Sequence, residues 1–284
     1  MIKQNLHTHT SLDHGWDTVD KMIETALEKG FTHLGFSGHS CNRPLAPTSM
    51  SLENSEIYRQ QVLKAKEDYK DQIKIFYGIE QDSVNRIDCS EFDYVIGSVH
   101  WLEHNDEMWM IDASAEDFIL MLFEGFDGDI QELVREYYSK VEEMMDWPEV
   151  DIVGHLDLIS KYNEWSDFFP FDADWYLEPA FKAIDKGIAN GKVFEMNTGA
   201  MARGDRISPY PHPILLEYIA AHEGKLCINT DCHDRRYLDL GLADCISLAK
   251  IVGFKELYTM TENGLVPVPI DEFDTNPEQP IHAY

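Results

Sequence analysis

Short apolar runs alternate with longer amphipathic stretches along most of the chain. The pattern predicts a strand over 2–6 and a helix over 18–29, with Asp17 or Thr18 near its cap and Gly30 as its stop. A strand over 33–37 and a densely charged helix over 51–69 follow. Isoleucine and aromatic residues over 73–79 predict a buried strand, and 92–99 another. Helices are expected near 115–123 and 130–146, a short strand at 150–153 and a helix over 172–190. Strands at 193–197 and 225–229 flank a helix near 213–222, and 238–252 is the last major helix. The segment 271–284 is polar and punctuated by proline, so it is expected to be ordered only by docking.

Strand–helix alternation implies parallel strands joined by helical crossovers. About seven such units fit an α/β barrel related to the eight-stranded (β/α) type. No internal repeat, linker or composition break divides the chain, so one domain over 1–284 is expected.

Composition narrows the function. With 284 residues, 44% of them hydrophobic, the chain can bury a full core. The net charge of −29 argues against nucleic-acid and anionic-membrane partners, which need basic surface. An anionic substrate would then need local positive charge, which bound metal ions can supply. No apolar run is long enough to span a bilayer, and the first residues show no signal-peptide pattern. The cysteines, Cys41, Cys89, Cys227, Cys232 and Cys245, are odd in number and scattered, without a CxxC, so a reduced cytoplasmic protein is expected.

The chemistry starts at His7-Thr8-His9, which ends the first apolar run. In extended chain, alternate side chains point the same way, so the two imidazoles can serve one divalent metal. The other strand ends repeat the theme, with Gly38-His39, Gly78-Ile79-Glu80, Ser98-Val99-His100, Gly154-His155 and Asp231-Cys232-His233. His14 lies in the loop after the first strand and can fold over the same mouth, although Asp13 beside it could serve instead. One histidine after a strand is ordinarily a hydrogen-bonded loop residue. A histidine or acid at nearly every strand's C-terminal end, where barrel active sites are built, points to a metal centre. His33, His104, His212, His222 and His282 lie elsewhere and receive no ligand role.

Taken together, these segments resemble the polymerase-and-histidinol-phosphatase (PHP) domain family over residues 7–233. Within it, the stretches 93–101 and 151–159 look most like the stand-alone histidinol-phosphate phosphatases. The resemblance implies a distorted (β/α)7 barrel with three divalent ions, zinc, manganese or iron. It implies that His7, His9, Glu80 and Asp231 hold the first ion. Glu80 would bridge to a second, completed by His100 and His155, and His14, His39 and His233 would hold the third.

Clustered divalent ions suit phosphate-ester hydrolysis, here by attack of a metal-bridging hydroxide on phosphorus. The expected substrate is a small phosphate monoester, L-histidinol phosphate, cleaved to L-histidinol and phosphate. Alternatives are another phosphate ester, such as a nucleotide or sugar phosphate, an amidohydrolase-type C–N hydrolase, or a non-catalytic metal-binding module. The leaving alkoxide would take its proton either from metal-bound water or from Asp231 or His233 acting through it. Only 23 lysines and arginines are present. Arg203, directly after the 193–197 strand, is the first candidate for binding phosphate, with Arg206 and Lys161 next and Arg43 weaker. Trp101, Trp109 and Tyr162 follow strands and could stack on an imidazole, or simply pack.

Overall fold

The computed structural model describes residues 1–40, 48–84 and 86–276. Cys41, Arg43 and His282 lie outside the described residues. Along the chain, β1 (Gln4–Asn5) leads through α1 (Val19–Glu28) to β2 (His33–Phe36), and α2 (Leu52–Asp68) leads to β3 (Lys74–Asp82) and β4 (Tyr94–Ser98). A hairpin of β5 (Trp101–His104) and β6 (Glu107–Met110) follows, then α3 (Ala115–Leu120), α4 (Ile130–Met144) and β7 (Ile152–Val153). Next come α5 (Asn163–Ser166), α6 (Asp174–Ala189), β8 (Val193–Asn197), α7 (Gly199–Arg203), α8 (Pro213–Ala221) and β9 (Lys225–Asn229). Finally α9 (Leu242–Val252) precedes a second hairpin, β10 (Glu256–Thr261) and β11 (Gly264–Pro269).

β1, β2, β3, β4, β7, β8 and β9 lie side by side in that order, every pair parallel. The two outer strands meet just past their ends. Thr8 bridges Cys232, with His9 N donating to Cys232 O (2.8 Å) and Cys232 N to His7 O (3.0 Å). The sheet thus closes into the distorted (β/α)7 barrel, with its seam at the C-terminal mouth.

Alternation along the strands grades the interior from apolar to polar. Climbing β3, the inward positions are Phe76, Gly78, Glu80 and Asp82; along β4 and beyond they are Tyr94, Ile96, Ser98 and His100. On β8 they are Val193, Glu195 and Asn197. Leu6, Phe76, Tyr94, Ile96, Ile152, Val193, Cys227 and Met260 form the lower, apolar filling. Outward residues such as Ile75, Val95, Val153 and Phe194 pack with Met22, Leu133, Ile184 and Leu216 of the helices in the larger core. The second hairpin stoppers the lower end, where Gln4 Oε1 accepts from Thr259 Oγ1 (2.6 Å) and Met260 N (2.9 Å).

Tyr94 divides the two halves. Its hydroxyl and ring fill the space left by Gly35 and Gly78, where an added Cβ would come within 2.2 Å of the hydroxyl and 2.3 Å of the ring. Its hydroxyl donates into the carbonyl oxygens of Leu6 and Phe36, tying β1 and β2 to β4.

The structure differs from the sequence expectation in a few elements. The first hairpin turns at Asn105 and Asp106, both at positive φ (52° and 62°), a tight turn that suits those residue types. Neither hairpin was expected, because each joins two short runs that look like single loops. The last helix begins at Leu242 instead of 238, because Gly241 (φ 75°) precedes it in the left-handed region. The start of the tail lies against the first residues of the chain: Ile2 N donates to Glu272 O (2.7 Å), and Asp274 N donates to Ile2 O (2.8 Å). Among the described residues, no helix is long and apolar enough to cross a membrane.

Tyr94→Phe is expected to keep the fold but lose about 1 kcal/mol of unfolding free energy in urea titration, through the lost carbonyl contacts. Gly78→Ala should cost more, about 1–3 kcal/mol, because the ring cannot retreat from a filled interior.

Candidate metal centre

At the upper end of the barrel, the polar inward positions converge on Glu80. Its carboxylate oxygens lie 2.9 Å from His39 Nδ1, 3.1 Å from His155 Nε2 and 3.4 Å from His100 Nε2. His7 Nε2 and His9 Nε2 are at 3.5 Å and 3.6 Å. Asp231 reaches the same two nitrogens from β9, at 3.5 Å and 3.2 Å. Four overlapping sets have all ligand atoms within 4.8 Å of one another: His7/His9/Asp231, His7/Glu80/His155, His39/Glu80/His100 and His9/His14/His39/His233. All nine residues singled out at the strand ends are therefore brought together.

Local backbone makes this possible. Asp231 sits at φ 47°, a left-handed conformation that Asp tolerates better than most residues, and it turns the chain so that His233 also faces the cluster. Gly199 lets α7 pass close by, since a Cβ there would lie 2.6 Å from Asp231 Oδ2. Gly15 lets the first loop fold back, since its Cβ would lie 2.7 Å from the backbone at His9 and Thr10. His14 then stands over the rings of His233 (4.2 Å between centroids) and His39 (4.8 Å). Asp13 faces the other way, into His9.

Three carboxylates hold the imidazoles from behind: Asp13, which the sequence offered only as an alternative ligand to His14, and Glu195 and Asp82, which it did not assign. Glu195 Oε1 is 2.8 Å from His7 Nδ1, Asp13 Oδ2 is 2.6 Å from His9 Nδ1, and Asp82 Oδ2 is 2.8 Å from His100 Nδ1. Each contact leaves the Nε2 atom turned inward. Glu195 also accepts from His155 N (2.9 Å), Asn197 Nδ2 (2.8 Å) and Asn229 Nδ2 (2.9 Å). An isolated acid inside the apolar run of β8 was the available signal.

Burial and the surrounding charges set the ionisation. Burial opposes charging Glu80 and Asp231, but the crowded imidazoles, with Arg203 beside Asp231, hold both carboxyls well below the usual range. Burial also opposes charging His9, yet Asp13 lifts it to about 9. Burial and the neighbouring His9 pull His14 down to about 4 and hold His233 well below its ordinary value.

The buried atoms His7 Nε2, His9 Nε2, His14 Nδ1, His155 Nδ1, His233 Nε2 and Glu80 Oε2 make no hydrogen bond. Buried polar atoms are ordinarily satisfied, and here several lone-pair donors are left inside one small volume. Imidazole and carboxylate donors so placed fit divalent metal ions.

The cluster floors a cavity of about 560 Å³ lined also by Trp16, Met110, Asp112, Leu158, Lys161, Arg203, Arg236 and Tyr237. Arg203 is about one-third exposed (35%), with Nη2 3.2 Å from Asp231 Oδ2 and Nη1 3.4 Å from His233 Nδ1. Lys161 Nζ donates to Asp112 O (2.8 Å) and lies 3.6 Å from Asp205. Arg206 is placed differently from the expectation. Its fully buried guanidinium stacks on Tyr210 (4.4 Å) and bonds Ser160 and Ser208, so it braces the loop and does not line the cavity. Trp101 and Trp109 also lie outside the cavity lining, and the Tyr162 hydroxyl is bound to Asp112 O. Among the other histidines, His33 stacks on Phe76, His104 pairs with Glu136, His212 caps α8 and His222 stacks on Tyr218.

The PHP domain model matches residues 4–199, a span that contains the sites from His7 to His155 and stops before Arg203, Asp231 and His233. A "Probable histidinol-phosphatase" of Deinococcus radiodurans is 26% identical over 87% of this chain and 92% of its own length. The histidinol-phosphatase of Bacillus subtilis is 22% identical over 82% and 94%. The crystal structure of histidinol phosphate phosphatase from Lactococcus lactis, complexed with zinc, L-histidinol and phosphate, superposes with a TM-score of 0.74 at 24% identity. It covers 93% of this chain and 98% of its own, which shows a shared fold. The match over most of the barrel places the chain in the PHP domain family.

Proposed function

We propose that this protein is a metal-dependent phosphatase that hydrolyses L-histidinol phosphate to L-histidinol and phosphate. The observation that carries the reading is the cluster of inward-facing, unbonded ring nitrogens and carboxylate oxygens beneath a cavity walled by Arg203 and Lys161. It is supported by the histidinol-phosphatases among its relatives, and by the zinc, L-histidinol and phosphate bound in the Lactococcus structure.

His7, His9, Glu80 and Asp231 would hold one ion, with Glu80, His100 and His155 holding a second and His14, His39 and His233 a third. Zinc, manganese and iron all suit this donor set. Divalent ions there supply Lewis acidity toward phosphoryl oxygens and lower the pKa of water. The protein's own groups do the rest. Arg203 offers its planar guanidinium to two phosphate oxygens, and Lys161 adds a second cation on the same wall. Asp231, held ionised by its neighbours, takes a proton from the attacking water and returns it to the leaving oxygen; His233 Nδ1 fixes the Asp231 backbone carbonyl at 2.9 Å. Asp112 and the aromatic faces of Trp16 and Tyr237 suit a leaving group with an ammonium and an imidazole. The described cysteines are all free and buried, which supports a reduced, cytoplasmic setting.

Phosphate release should be compared across histidinol phosphate, deoxynucleoside monophosphates and an aryl phosphate, with metal analysis of the same sample. Histidinol phosphate should be strongly preferred; equal turnover of the aryl ester would leave only the phosphoesterase class. Arg203→Ala should lower kcat/KM by about 100-fold with metal content unchanged. Arg206→Ala should instead lower the melting temperature, because it removes a buried brace. Stripping the protein with a chelator should abolish turnover, and zinc, manganese or iron should restore it to different degrees.

A further inference from the structure

The three proposed ion positions are supported very unequally. Those served by His7, His9 and His100 have a carboxylate behind each imidazole, at 2.8 Å, 2.6 Å and 2.8 Å. They also draw on Glu80 and Asp231 directly. His14, His39 and His233 include no carboxylate, although His9, backed by Asp13, lies within reach of the same set. The Nδ1 of His233 rests on a backbone carbonyl, that of Asp231, at 2.9 Å. Among the described residues the His14 ring makes no hydrogen bond or ion pair with a carboxylate.

Position in the fold points the same way. His7 and His9 are fully buried, whereas His14 and His233 are partly exposed at the cavity, which the buried His39, His100, His155 and Asp231 also line. The Arg203 guanidinium places a fixed positive charge 3.4 Å from His233 Nδ1, and also 3.2 Å from Asp231 of the first set, where a carboxylate offsets it. His39 is also contested, because its Nδ1 lies 2.9 Å from Glu80 Oε2 and it belongs to the Glu80/His100 set as well.

We infer that the position formed by His14, His39 and His233 holds its ion far more loosely than the other two. It is the exchangeable site of the three. This rests on the ion assignment proposed above. Outer carboxylates of this kind each typically change metal affinity by about 10–100-fold. A set in which neither His14 nor His233 has such a carboxylate hydrogen-bonded behind it, and in which no carboxylate is itself a ligand, should therefore bind about 100-fold more weakly.

The test is zinc-loaded full-length protein dialysed against rising concentrations of a competing chelator, with zinc per chain counted by mass spectrometry at each step. One equivalent should leave at a free-zinc level about 100-fold higher than the level at which the other two leave. His233→Ala should lack the weak equivalent and keep both tight ones. Glu195→Gln should loosen a tight equivalent by about 10–100-fold and leave the weak one unchanged; if that variant does not fold, Asp82→Asn serves the same purpose. Release of all the zinc in one step, or loss of a tight equivalent in His233→Ala, would overturn the inference while leaving the metal-dependent phosphatase intact. A protein that takes up no zinc, manganese or iron would instead overturn the underlying reading.

Discussion

A single buried carboxylate organises the upper half of this barrel. Five imidazoles approach Glu80 within 3.6 Å, and they come from the ends of β1, β2, β4 and β7. An isolated buried carboxylate is very unfavourable, and so is a buried cluster of imidazoles without acceptors. Each group is tolerable only because the others are there. The barrel makes the grouping possible by bringing the ends of all its strands to one circle, and the alternation along each strand decides which side chains point into it. The further ring of Glu195, Asp13 and Asp82 then turns the imidazoles so that their free nitrogens face one another.

That arrangement gives the large negative charge of the chain a specific meaning. Most of its acids are solvated, but at least five carboxylates, Asp13, Glu80, Asp82, Glu195 and Asp231, are gathered at one end of the barrel. A site so rich in anions repels a phosphate dianion unless cations are bound there. Arg203 and Lys161 alone do not balance it, since each is already engaged with an acid or carbonyl. Metal affinity and phosphate affinity are therefore two sides of one electrostatic balance.

Much of this was legible in the sequence, and the exceptions have physical reasons. His7, His9, His39, Glu80, His100, His155, Asp231 and His233 were visible because a strand end is a position that apolar patterning locates well. His14 was ambiguous with Asp13, and only the fold-back at Gly15 shows that one faces the cluster and the other faces His9. Glu195 and Asp82 escaped because their roles depend on which strand lies across the barrel, which the chain order does not display. Arg206 misled because closeness in sequence to Arg203 suggests closeness in role. The turn after α7 sends the two side chains in different directions, one to the cavity and one to Ser160 and Tyr210. The short hairpins were missed because they cap and roof the barrel without belonging to its alternating pattern.

The seam of the barrel lies where its chemistry lies. Thr8 and Cys232, the bridging pair that joins first strand to last, each stand between two members of the cluster: His7 and His9 on one side, Asp231 and His233 on the other. The last backbone contacts to close the cylinder are thus flanked by the groups that must meet for function. Completing the fold and assembling the site are one event, so a chain that has not joined its two ends cannot have a finished centre, and ions gripping both sides of that join would act as a clasp on the whole barrel.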